Sequence, residues 1–143
     1  VGAHYTERNI NSSLEGDLYE AVSGITYSLG PVSLGFARSG FITGQEDATA
    51  AFTHYKGAMY GVAFNVNDDL SISWGHHEMQ QFDDVGTHRT GQMEDLRAQA
   101  QSWQVAYTMG GASLRLAETK GDNLFYTKAN DRDATTVSVS LAF

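Results

Sequence analysis

The chain contains no cysteine, which excludes a disulfide framework, a thiol nucleophile and any cysteine-built zinc site. Basic residues are scarce. Nine Lys and Arg face 17 Asp and Glu, for a net charge of −8, and a nucleic-acid surface needs the opposite balance. No stretch approaches the ~18 consecutive apolar residues of a membrane-spanning helix, and the mean hydropathy is −0.32. A transmembrane β-barrel has the same bulk properties, because only every second residue of each strand meets lipid. Proline occurs once, so little stands against long paired strands. A starting methionine and a signal peptide are also missing. Val1 opens directly into the alternating "VGAHYTER", so the chain is expected to be a fragment of a longer protein.

What is abundant is a period of two. In "QSWQVAYTMG" Trp103, Val105, Tyr107 and Met109 point one way, and Ser102, Gln104, Ala106 and Thr108 the other. Leu70, Ile72 and Trp74 oppose Ser71, Ser73 and Gly75; Leu114 and Leu116 oppose Ser113, Arg115 and Ala117. The last stretch sets Val137, Val139, Leu141 and Phe143 against Ser138, Ser140 and Ala142.

Three segments repeat one hairpin: "GITYSLGPVSLGF", "GVAFNVNDDLSISW" and "QVAYTMGGASLRL". Each passes an aromatic (Tyr27, Phe64, Tyr107), enters a tight turn rich in Gly, Asn or Asp, and leaves on an alternating strand. Those turn residues supply the positive φ that short hairpins demand. Longer polar stretches separate the hairpins. Eight strands are expected near 1–7, 18–29, 31–43, 53–66, 69–80, 97–109, 111–121 and 134–143, in one domain with no internal boundary. Short turns fall on one end and long acidic loops on the other. Together with strands long enough to cross a bilayer, this pattern predicts an all-β, antiparallel, up-and-down transmembrane β-barrel.

On that reading Phe143 closes a final strand at the inner interface, where Tyr27, Phe64 and Tyr107 complete an aromatic girdle. The ending "DATTVSVSLAF" resembles the sorting signal of Gram-negative outer-membrane proteins. With the hairpins "GITYSLGPVSLGF" and "QVAYTMGGASLRL", it makes the chain resemble the C-terminal half of an alphaproteobacterial-type general porin. The resemblance implies a barrel of about sixteen strands. It also implies a homotrimer, embedded in outer-membrane lipid and lipopolysaccharide, that passes small hydrophilic solutes by diffusion. No constriction loop is visible in this chain.

Arg115 is the best-placed lumen charge, sitting mid-strand between Leu114 and Leu116; a pore-lining cation attracts or orients anions. The alternative is a wall arginine paired with a nearby carboxylate. His4, Glu20, Asn65, His77 and Gln104 share the inward parity. His76 and Glu78 are read as rim residues. Arg38 falls on the same face as Leu34 and Phe36, which a bulge, a snorkelling side chain or a subunit interface would accommodate. Asp83, Asp84, Glu94 and Asp95 lie in long loops expected at the outer mouth. Ca²⁺ at such loops is conceivable, but none has EF-hand spacing, and no cofactor is expected. "GHHEMQQ" lacks the second histidine of a metalloprotease helix, having Gln81 there. No other catalytic constellation is present, so no enzyme is expected.

Two other architectures compete. A complete eight-stranded barrel would serve as a membrane anchor or adhesion scaffold; its interior needs bulky interlocking side chains, whereas this inward face is mostly Ser, Gly, Ala and Thr. A soluble ligand-binding barrel of the lipocalin or avidin sort would turn Trp, Val and Leu inward, and needs a charged outer face that the strands do not provide.

Overall fold

A computed structural model describes residues 1–8, 18–43, 54–82 and 97–141. They form one antiparallel sheet of eight strands, each hydrogen-bonded to its sequence neighbours: β1 (Gly2–Arg8), β2 (Leu18–Leu29), β3 (Val32–Ile42), β4 (His54–Asn65), β5 (Leu70–Phe82), β6 (Arg97–Met109), β7 (Ala112–Asp122) and β8 (Arg132–Leu141). A short 3₁₀ turn, Leu124–Tyr126, lies between β7 and β8. The expected all-β, up-and-down order is present. The sheet is not closed: β1 pairs only with β2 and β8 only with β7, so no tight eight-stranded barrel forms.

The turns follow from local chemistry. Gly30 and Gly110 have φ of 57° and 58°, the left-handed value that glycine adopts at no steric cost. Each opens a two-residue hairpin, between Leu29↔Val32 and Met109↔Ala112. Across these hairpins Ser28 and Ser33 share a hydrogen bond of 2.8 Å, and the equivalent Thr108 and Ser113 one of 3.1 Å. The β4–β5 turn is braced differently: Asn67 Oδ1 accepts from the amides of Asp69 (2.9 Å) and Leu70 (2.8 Å), an Asx arrangement.

Register carries the alternation across the whole sheet. On one face Leu29, Val32, Phe64, Ile72, Val105, Leu116 and Val137 form a continuous ladder row. On the other, Thr26, Gly35, Gly61, Gly75, Ser102 and Thr119 do. There is almost no core: among the described residues Ala58 is the one buried apolar side chain. Ile72, Val105, Leu114 and Leu141 are 38, 40, 48 and 58% exposed. A protein of this size in water would bury most such side chains.

Tyr27, Phe64 and Tyr107 do not share a ladder row. The row of Tyr27 meets β4 at Val62, two residues short of Phe64; the row of Phe64 meets β6 at Val105, two residues short of Tyr107. The offset is therefore one residue per strand, always in the same direction. With ~3.3 Å per residue and ~4.8 Å between strands, side chains so offset stay level if the strands tilt by about 35°. The same step carried to β8 falls on Leu141. Phe143 lies outside the described residues.

Gly61 and Gly75 face each other in register but differ in need. A Cβ on Gly61 would meet the Trp74 carbonyl at 2.9 Å, whereas one on Gly75 meets open space. Gly61→Ala should cost about 1–3 kcal/mol through overpacking. Gly75→Ala should be neutral or stabilise by about 0.5–1 kcal/mol. Denaturant midpoints of the full-length protein in detergent check the difference.

Candidate functional site

The face carrying the small residues is concave. Residues from Gly2 on β1 to Thr119 on β7 line a single trough of 840 Å³. Its floor is backbone and small side chains: Gly35, Gly61 and Gly75 in one row, with Ser33, Ala63 and Ser73 in the next. Thr119 donates to Ser102 across it at 3.0 Å. Met59 and His77 are larger side chains of the same face that also line it.

His4, Glu20, Asn65, His77, Gln104 and Arg115 all have the parity of this face. Register places His4 opposite Val22, Glu20 opposite Thr6 and Phe41, and Asn65 opposite Ser71. His77 stands between Met59 and Ala100, Gln104 between Ser73 and Ala117, and Arg115 between Ala106 and Ser138. They are spread over six strands and not gathered into one centre. Arg115 is exposed, and among the described residues no carboxylate pairs with it. His4 Nε2 lies 2.7 Å from the Thr6 hydroxyl. No group of three His, Asp or Glu able to hold a metal occurs among the described residues. Asp83, Asp84, Glu94 and Asp95 lie outside them.

The opposite face divides in two. Near the short turns it is apolar. Above that, Tyr60, Trp74, His76 and Trp103 form a ring cluster, with Tyr60–His76 stacked at 4.8 Å and Trp74–Trp103 at 6.1 Å. Beyond the cluster, outward positions on β5 to β7 are polar, with Arg97 3.8 Å from Glu78. His76 and Glu78, expected at a rim, share the outward parity of Trp74 on β5, Glu78 among the polar positions beyond the ring cluster. Arg38 needs no bulge: the β2–β3 register runs unbroken through Ser23↔Arg38. Its guanidinium lies 5.6 Å from the centre of the Phe36 ring, a cation–π placement.

One feature of the trough was not legible as a site. The β7–β8 loop folds inward. Leu124 packs on the inner side of Gly121, and the Tyr126 ring lies 5.8 Å from that of Tyr55 on β4. Tyr55 in turn sits 5.8 Å from Phe41 on β3. Leu124, Phe125 and Tyr126, three large apolar side chains in an otherwise polar stretch, were the available signal.

No family model matches the chain, and no curated protein or solved structure matches it either.

Burial, with the neighbouring Tyr55 adding to it, raises the Tyr126 hydroxyl above the ordinary tyrosine value of about 10. A raised folded-state value means the stabilisation is complete below the unfolded value and is lost as pH climbs through the folded one. The loop should therefore loosen only above about pH 10. In an ultraviolet difference titration, Tyr126→Phe should remove a tyrosine transition that lies above the ordinary tyrosine range.

Proposed function

We propose that this sheet is a sector of the wall of an outer-membrane diffusion pore of a Gram-negative bacterium, passing small hydrophilic solutes and ions. The single observation that carries the reading is the division of its two faces. One exposes its large aliphatic and aromatic side chains with no core beneath them; the other is a trough floored by Gly, Ser, Ala and Thr. Lipid is the solvent that suits the first face and water the second.

Open edges support a wall larger than these strands. β1 and β8 each leave one side unpaired, and an unpaired edge costs several kcal/mol per backbone group in hydrocarbon. Further strands, reaching about sixteen in a porin-type barrel, would satisfy both. The polar outward positions Glu78, Gln80, Gln99, Gln101, Glu118 and Lys120 are costly in lipid. They suit a neighbouring subunit of a homotrimer or the headgroups of lipopolysaccharide. The pore is passive: it needs no catalytic group, and no cofactor is part of the proposal. Acidic loops at the outer mouth enrich cations within about a Debye length, ~8–10 Å at physiological salt.

Two measurements test this. In planar bilayers the full-length protein should conduct in steps. Its reversal potential in a KCl gradient should favour K⁺ mildly, less so as salt rises, and less again when Asp83, Asp84, Glu94 and Asp95 are neutralised. Strong anion selectivity untouched by those changes would contradict the mechanism. Val105→Arg, on the proposed lipid face, should lower stability in bilayers by about 2–4 kcal/mol. Its neighbour Ala106→Arg, facing the trough, should be tolerated within about 1 kcal/mol. Equal costs would argue against lipid on one side and water on the other.

A further inference from the structure

The loop between β7 and β8 lies across the trough and does not project away from it. Two observations fix this. Leu124 occupies the space beside Gly121: a Cβ there would come within 2.8 Å of the Leu124 side chain. Tyr126 reaches Tyr55 on β4, so the loop crosses β6 and β5, a span of about 14 Å at ~4.8 Å per strand.

The loop is also braced against itself. The Asn123 amide donates to Asp131 Oδ1 at 2.9 Å, and Asn123 Oδ1 accepts from the Ala129 amide at 3.1 Å. Leu124 and Asn130 close a backbone bond of 2.9 Å, and the Asn130 amide group donates to the Leu124 carbonyl at 3.0 Å. Within this frame Asn123, Phe125, Tyr126 and Ala129 hold positive φ of 51°, 57°, 53° and 59°. For Phe and Tyr that conformation is an outlier. It costs on the order of 1–3 kcal/mol per residue and persists where the surroundings impose it, typically at functional sites. A solvated connection would relax; this one is held in an unfavourable backbone to keep Tyr126 over the trough.

We infer that residues 123–131 are the element that narrows the passage at the long-loop end of the trough, with Tyr126, shelved on Tyr55 and Phe41, as the side chain that limits solute size. The inference rests on the diffusion-pore reading and adds to it the identity of a size-determining residue. Solutes passing there meet the faces and hydroxyls of two tyrosines, so the loop admits small neutral polar molecules and retards bulky ones through steric access.

Single-channel conductance and liposome swelling with sugars of increasing size, on the full-length protein, test this. Tyr126→Ala should raise conductance and the entry rate of the larger sugars, on the order of twofold, since both follow pore diameter. Gly121→Val, which displaces Leu124 without altering any aromatic, should do the same. Phe125→Ala should leave both unchanged, because that ring is 83% exposed. A wild-type protein that does not conduct overturns the pore reading and this inference with it. A conducting wild type matched by Tyr126→Ala overturns the role of Tyr126 alone. An equal rise in Phe125→Ala also overturns it, since the effect would then come from disturbing the loop and not from the ring over the trough.

Discussion

Everything in this structure depends on where the backbone hydrogen bonds and the apolar side chains are allowed to be. Eight strands satisfy one another's amides and carbonyls in a single layer, and among the described residues no second layer of strands or helices covers either face. A lone sheet in water would have to hide one face against a helix or another sheet. Here the side chains that would do so are on the surface, and the one buried apolar residue among those described is an alanine. On the function proposed above, stability comes from an apolar surround on one side, the situation of a barrel wall in a bilayer.

That constraint organises the rest. The opposite face is freed from packing, so it can be made of Gly, Ser, Ala and Thr and remain open. The strands run as long as 13 residues, beyond what a small soluble sheet commonly uses. On one end the connections are short, two residues for β2–β3 and β6–β7 and four for β4–β5. On the other end the loops are free to acquire function, and the one between β7 and β8 folds back into the trough. Its positive-φ residues are affordable because a closed set of hydrogen bonds around Asn123, Leu124 and Asn130 over-determines them.

Much of this was legible in the amino-acid order because it is local. β2 and β6 span the expected 18–29 and 97–109, and the remaining strand ends fall within two residues of expectation. Alternation sets strand phase, and Gly30, Asn67 and Gly110 set the turns. The six inward candidates were placed on one face by parity alone. What could not be read is what needs register or distance. The one-residue-per-strand offset between Tyr27, Phe64 and Tyr107 exists only once neighbouring strands are paired. β5 runs past the expected end at 80 to Phe82, because β4 continues to pair with it through His54↔Phe82. The Tyr126–Tyr55 contact joins residues far apart in sequence through a loop whose composition looked solvated.

The central claim is that lipid covers one face and water the other, and the absence of cysteine makes it directly testable. Single cysteines placed in turn at positions 112–117 of β7, in the full-length protein folded into lipid vesicles, can be labelled with a membrane-impermeant thiol reagent. The account predicts a strict period of two: Ser113, Arg115 and Ala117 substitutions labelled quickly, Ala112, Leu114 and Leu116 substitutions protected until detergent is added. Uniform labelling along the strand, or protection of the serine-bearing face, would contradict it.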